Sequence, residues 1–91
     1  MKVALKDGFE VNVEEKHLND WKLLKLIRGI DKGDPSLSVD VMEKLLGEEQ
    51  LEALEDHLEE DGIVSIDAMG TALQEIIEGA TQLKNSQSSP A

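Results

Sequence analysis

The sequence contains no cysteine and no tyrosine, one phenylalanine (Phe9), one tryptophan (Trp21) and two prolines in 91 residues. The lack of cysteine excludes disulfides and thiolate metal centres. With two aromatic side chains in the chain, the core must be aliphatic, built from Leu, Ile and Val, and there is no row of rings on which nucleobases could stack. No apolar run approaches the length of a membrane span. The N-terminal Met1-Lys2-Val3-Ala4-Leu5-Lys6-Asp7 lacks the apolar run of a signal peptide, so a soluble, cytoplasmic protein is expected. Positive charge is scarce as well: nine Lys and Arg stand against twenty Asp and Glu, a formal net charge of −11. Because affinity for nucleic acid comes largely from Lys and Arg on phosphates, that balance argues against nucleic acid as a partner.

The charge that is present is concentrated. Between Leu45 and Leu83 there are eleven acidic residues and no Lys or Arg, whereas residues 1–44 carry nine acids and eight bases. The apolar residues of the acidic stretch keep helical spacing, so it reads as helices with a buried stripe and a solvated negative face. A chain of this length buries roughly 60–65% of its unfolded surface, enough for one modest core. The expected fold class is mainly α (α+β): an N-terminal β-hairpin packed on a small bundle of about four helices. One small domain is expected over residues 1–79, followed by a flexible C-terminal tail over 80–91.

The hairpin is predicted over residues 1–13. Met1, Val3 and Leu5 alternate with polar or small residues, as do Phe9, Val11 and Val13. A two-residue Asp7-Gly8 turn would pair Leu5 with Glu10 and put apolar side chains on both faces. A three-residue loop, Lys6-Asp7-Gly8, instead pairs Leu5 with Phe9, Val3 with Val11 and Met1 with Val13. All six apolar residues then share one face, with Gly8 in the left-handed position.

A first helix is predicted over 19–32, with Asn19 as N-cap and Asp20 in its first turn. Trp21, Leu23, Leu24, Ile27 and Ile30 form its buried stripe, and Gly33 ends it. Gly29 costs that helix about 1 kcal/mol relative to Ala, which suggests a close packing contact there. A second helix follows over 36–46 and a third over 48–60, separated by Gly47. Leu51, Leu54 and Leu58 line the inner face of the third. Its outer face sets Glu48, Glu52 and Asp56 four residues apart, and likewise Glu55 and Glu59. Such like-charge pairs each cost a few tenths of a kcal/mol, which burial of the leucines at about 1.5–3 kcal/mol each outweighs. Asp61-Gly62 ends it. Ser65 caps a fourth helix, 65–78, with Ile66, Met69, Leu73, Ile76 and Ile77 inward.

Candidate sites are few. Glu60 to Ser65 resembles the middle of an EF-hand loop, but aligning Gly62 with its fixed glycine places His57 first and Ala68 twelfth, where acidic ligands are required. Pro35-Ser36-Leu37 resembles the Asp-Ser-Leu phosphopantetheine site of acyl carrier proteins, yet Pro35 replaces the Asp and Gly47 ends the helix early. Ser36 and Ser38 are read as helix-entry residues. His17 and His57 stand forty residues apart without a metal-ligand spacing. Nucleophile and phosphate loop are both missing. The sequence therefore reads as a non-enzyme, with no catalytic, cofactor-binding or metal-binding residues assigned and no cofactor.

A wider pattern does stand out. Asp7-Gly8-Phe9-Glu10 flanked by Lys6 comes first, then an acidic segment, then Trp21-Lys22-Leu23-Leu24. Ile30 to Pro35 (Ile-Asp-Lys-Gly-Asp-Pro), Leu45 to Leu54 (Leu-Leu-Gly-Glu-Glu-Gln-Leu-Glu-Ala-Leu) and Asp61 to Met69 (Asp-Gly-Ile-Val-Ser-Ile-Asp-Ala-Met) follow. In order, from about Lys6 to Glu78, these resemble the short tail assembly chaperones of long, non-contractile-tailed phages and prophages of Gram-positive bacteria. The resemblance implies a role without chemistry. Such a chaperone coats the helical tape measure protein, recruits tail tube protein, and leaves before the tail matures. It would act in the host cell cytoplasm and be absent from the mature virion. A minority of products would be extended by a −1 ribosomal frameshift, and self-association along the tape measure is consistent with a small helical domain. The family supplies no sharp residue motif to carry over. Leu83-Lys84-Asn85 is a triplet that the slippery heptamer A-AAA-AAC can encode, at the expected edge of the fold. From a different class, the clustered acids equally suit an acidic interaction or inhibitor protein of the DNA-mimic or anti-repressor type.

Overall fold

The computed structural model describes the backbone of residues 1–87 and the side chains of residues 1–84. The chain begins with two antiparallel strands, β1 (Lys2–Ala4) and β2 (Glu10–Asn12), paired as Lys2 with Asn12, Val3 with Val11 and Ala4 with Glu10. That is the register demanded by a single apolar face. The Gly8 amide donates to the Leu5 carbonyl at 2.9 Å, and the Leu5 amide donates to the Phe9 carbonyl at 2.7 Å. The connection is therefore the three-residue loop Lys6-Asp7-Gly8, with Gly8 at φ 96°. Val3, Leu5, Val11 and Val13 are buried, and Met1 and Phe9 pack at the margin of the same face.

Both outer sides of the hairpin are held by side chains from helices. The Gln50 carboxamide accepts from the Asn12 amide at 2.7 Å and donates to the Asn12 carbonyl at 2.8 Å. This reproduces the two hydrogen bonds that a neighbouring strand would make. Across the hairpin, the Glu75 carboxylate accepts from the Lys6 amide at 2.9 Å.

Among the described residues four helices follow: α1 (Glu15–Leu18), α2 (Trp21–Asp31), α3 (Leu37–Leu58) and α4 (Ile66–Gln87). The fold class is mainly α with an N-terminal hairpin, as the residue pattern implies, but several details differ. The single turn α1 was not anticipated; it takes Asn19 as its C-cap, so the N-cap of α2 passes to Asp20, whose carboxylate accepts from the Lys22 amide at 2.8 Å. At the other end of α2, the Gly33 amide donates to the Ile30 carbonyl and the Asp34 amide to the Gly29 carbonyl, a Schellman stop. Gly29 does mark a close contact: a Cβ there would collide with the Leu37 side chain.

The expected helices 36–46 and 48–60 are the two arms of α3, bent at Gly47. Gly47 has φ 78° and ψ 168°, a region closed to residues with a Cβ, so the bend is built into the residue type. The second arm buries Leu51 and Leu54 and half-buries Leu58, leaving Glu48, Glu52 and Asp56 in water. Asp61 and Gly62, both at positive φ, then form a tight turn closed by paired Glu60 and Ile63 hydrogen bonds. Ser65 caps α4 as expected, its hydroxyl accepting from the Ala68 amide at 3.2 Å.

α4 does not stop at 78. Gly79 lies against Val3, Ala80 is fully buried, and the helix continues to Gln87. Small residues weaken the apolar periodicity in sequence while permitting the closest approach to the hairpin. The expected flexible tail over 80–91 is thus corrected as far as Gln87, and its last four residues lie outside the described region. The core is aliphatic throughout, drawn from the hairpin, α2, both arms of α3 and α4.

Candidate partner-binding groove

α2 packs on α3, and α4 packs on α3 and β1, while α2 and α4 make little contact with each other. Between them runs an open groove of about 510 Å³. Ile27, Ile30 and Asp31 form the α2 wall, Pro35 and Ser38 close the side where α3 begins, and Ile66, Gly70, Leu73, Gln74, Ile77 and Glu78 form the α4 wall.

The α4 wall exists because its apolar stripe is wider than the core requires. At 3.6 residues per turn, Ala72, Ile76 and Ala80 fall on one side of the stripe, Ile66, Gly70 and Ile77 on the other, with Leu73 near the seam. The first side is buried against the hairpin and α3. The second faces the groove, where Ile66 is 81% exposed. Ile66 was expected inward. Its angular position is apolar, but that side of α4 faces the open groove and not the core.

α2 is turned in a similar way. Leu23 is buried and Leu26, Ile27 and Ile30 are half-buried, leaving Trp21 and Leu24 in water at 73% and 56% exposure. The expectation that Trp21 and Leu24 belong to the core is corrected. Leu23, Leu26, Ile27 and Ile30 fit within one stripe of about 100°, and Trp21 lies on the far side of the cylinder. Omitting Leu26 from the stripe concealed this phase.

Charge differs sharply between the surfaces. A hollow of about 640 Å³ between α2 and α3 is lined chiefly by Lys22, Lys25, Asp40, Glu43 and Lys44, a mixture of signs. Among the described residues, the charged side chains that line the α2–α4 groove are the acids Asp31 and Glu78. Among the described residues, none of the eleven acids from Glu48 to Glu78 forms a salt bridge; the Lys pairs are Lys16–Glu14 and Lys44–Asp20, and His57 contacts Asp7.

No family model, curated protein or solved structure matches this chain. The groove and the distribution of charge therefore carry the functional argument.

The residues weighed individually in the sequence are drawn into local structure. His57 Nε2 lies 2.8 Å from an Asp7 carboxylate oxygen, and its ring stacks on Phe9 with centroids 4.4 Å apart. Together they pin the hairpin loop to the end of α3. The Phe9 amide, and then His57, hold the Asp7 carboxyl below its ordinary value of 3.8. The Lys22 amide, followed by Lys44, does the same for Asp20. His17 Nδ1 meets the Lys44 carbonyl, fixing α1 to α3. Ser36 bonds to Asp34 and Ser38 to the Pro35 carbonyl, so both serve the entry of α3. The structure does not bring these residues together. Among the described residues, no group of three or more His, Asp or Glu side chains is arranged to hold a metal ion, and no helix is long and apolar enough to cross a membrane.

The groove itself was missed at sequence level. The available signal was the width of the α4 stripe, which has more apolar positions than one packing face can cover.

Proposed function

We propose that this chain is a non-catalytic assembly chaperone that holds a helical partner. The partner class we infer is the tape measure protein of a long, non-contractile phage tail, with tail tube protein recruited to the complex. The supporting observation is the open, apolar, acid-rimmed groove between α2 and α4. A partner of this kind presents long amphipathic helices, and helix-in-groove recognition uses an apolar trough flanked by charge. The order of sequence segments from about Lys6 to Glu78 supports the same reading. In it the chain works in the host cytoplasm, leaves before the virion matures, and touches neither nucleic acid nor membrane.

The experiment is co-expression with a phage tape measure protein, a long coiled chain, followed by co-purification in the presence and absence of duplex DNA. Retention of the coiled protein regardless of DNA is the expected outcome. The coding DNA from Gly79 onward supplies a second test. A slippery heptamer over Leu83–Asn85 with an open −1 frame supports the extended form, and a closed frame removes it. That triplet lies on the last turns of α4, so an extension would begin from a helix.

One observation favours a second reading. The exposed acids of the second α3 arm have no Lys or Arg partners among the described residues, as a DNA-mimicking inhibitor would require. Capture of a DNA-binding protein that duplex DNA displaces would favour that inhibitor over the chaperone.

A further inference from the structure

Besides Gly47 at the bend of α3, three glycines lie within the described helices, and each is unfavourable there by about 1 kcal/mol relative to Ala. Two have a reason inside the molecule. A Cβ on Gly29 would strike Leu37, and one on Gly79 would come within 2.7 Å of Val3 Cγ1. Gly70 has none: a Cβ there would meet nothing within 4 Å. Yet Gly70 stands in the middle of the α4 wall, one turn from the exposed Ile66 and three residues from Leu73. Nothing in the fold requires glycine at that position, whereas a close approach from outside would.

We propose that the α2–α4 groove seats one amphipathic helix of a partner, with a large aliphatic side chain dropping into the notch over Gly70 and Lys or Arg side chains reaching Asp31 and Glu78. This rests on the reading of the chain as a holder of a helical partner, and adds where and by what chemistry it holds. The length agrees. From Ile66 to Ile77 the wall spans about 16 Å, three turns of helix at about 1.5 Å per residue. The charge agrees as well, because the rim is acidic and has no cation of its own. Small residues let helices approach closely, and an unoccupied notch among aliphatic side chains is the complement of a knob. A second copy of this chain fits less well. Its exposed apolar and cationic face on α2 offers Trp21 and Leu24, about one turn, to a trough of three.

The test uses the full chain, isotope-labelled for amide shift mapping, and two synthetic helices of about 18 residues. Both peptides carry the same aliphatic stripe; one is flanked by Lys and the other by Glu. The Lys peptide is expected to move the amides of residues 27–38 and 66–78, and to bind at least tenfold more tightly than the Glu peptide. Gly70→Met fills the notch and is expected to weaken the Lys peptide at least tenfold without lowering the melting temperature. Should that variant fold poorly, Ile66→Asp, at a solvent-exposed position, replaces it.

Equal binding of both peptides, or shifts centred elsewhere, overturns the proposal. Concentration-dependent self-association that Gly70→Met abolishes would make the occupant a second copy and also overturns it. Capture of the tape measure protein separates the two levels. If wild type and Gly70→Met capture it equally, the groove assignment fails and the chaperone reading stands. If wild type binds the Lys peptide in the groove but ignores the coiled protein, the groove stands and the chaperone reading fails.

Discussion

Asp7 does two jobs in one turn of chain. Its carboxylate accepts from the Phe9 amide at 3.0 Å, shaping the hairpin loop, and meets His57 across a ring stacked on Phe9. Both contacts favour the ionised form, so the folded carboxyl titrates below its ordinary 3.8. A depressed folded value means that the unfolded chain takes up the proton first as pH falls. The stability Asp7 contributes is therefore fully present above 3.8 and is lost as pH drops through the folded value. Asp20, held low by the Lys22 amide and Lys44, acts in the same direction. Asp7→Asn is expected to flatten the decline of the urea midpoint below about pH 4, because the substituted side chain has no proton to gain. A decline as steep as that of wild type would show that the loop carboxylate has no part in acid sensitivity.

At the scale of elements, the hairpin depends on the helices for more than its apolar face. An isolated two-stranded hairpin is marginal in water, and here Gln50 supplies the hydrogen bonds of an absent third strand. The same carboxamide donates to the Leu46 carbonyl at 2.8 Å, next to the bend at Gly47. Gln50→Ala releases the outer edge of β2 and removes the side-chain donor from the Leu46 carbonyl. A loss of about 1–3 kcal/mol in unfolding free energy is expected, measured by urea titration. A change within about 0.3 kcal/mol would mean that water replaces the amide without cost. Contacts of this kind explain what could and could not be read from sequence. The hairpin register was legible because a single slip would have put Leu5 opposite Glu10. The bend at Gly47 and the cap at Ser65 were legible because residue type alone constrains the backbone there. The phase of α2 was obscured by its surplus of apolar residues: Trp21 and Leu24 are as apolar as Leu23, and only with Leu26 counted do Leu23, Leu26, Ile27 and Ile30 emerge as one stripe of about 100°. The extent of α4 was hidden by Gly79 and Ala80, whose small size is what places them in the core. Gln50, one amide in an acidic run, carried no signal of its partner on β2.

Taken whole, the molecule measures 50 × 30 × 19 Å, so its thin dimension is about two helix diameters. Two layers leave side chains in the outer one with a free face, which is why an apolar groove can stay open without emptying the core. The acidic arm of α3 adds a second whole-molecule property. Its like-charged neighbours repel, with Lys and Arg absent from the entire stretch 45–83. Raising salt from a few millimolar to about 0.15 M shortens the screening length to about 8 Å. Unfolding free energy is expected to rise by roughly 1 kcal/mol over that range as the four-residue pairs are screened. A fall with added salt would place attractive ion pairs, not repulsion, in control of stability.

The outward position of Trp21 determines how the protein can be observed. It is the lone indole, tyrosine is missing, and the core is aliphatic. Near-ultraviolet emission therefore originates almost entirely from a side chain already in water, and global unfolding should scarcely alter its colour. The fold is optically silent and must be followed by backbone dichroism, while the fluorophore is left to report on whatever comes to rest against the outer side of α2. A ligand lying in the groove and one lying on that outer side would then be told apart by light alone.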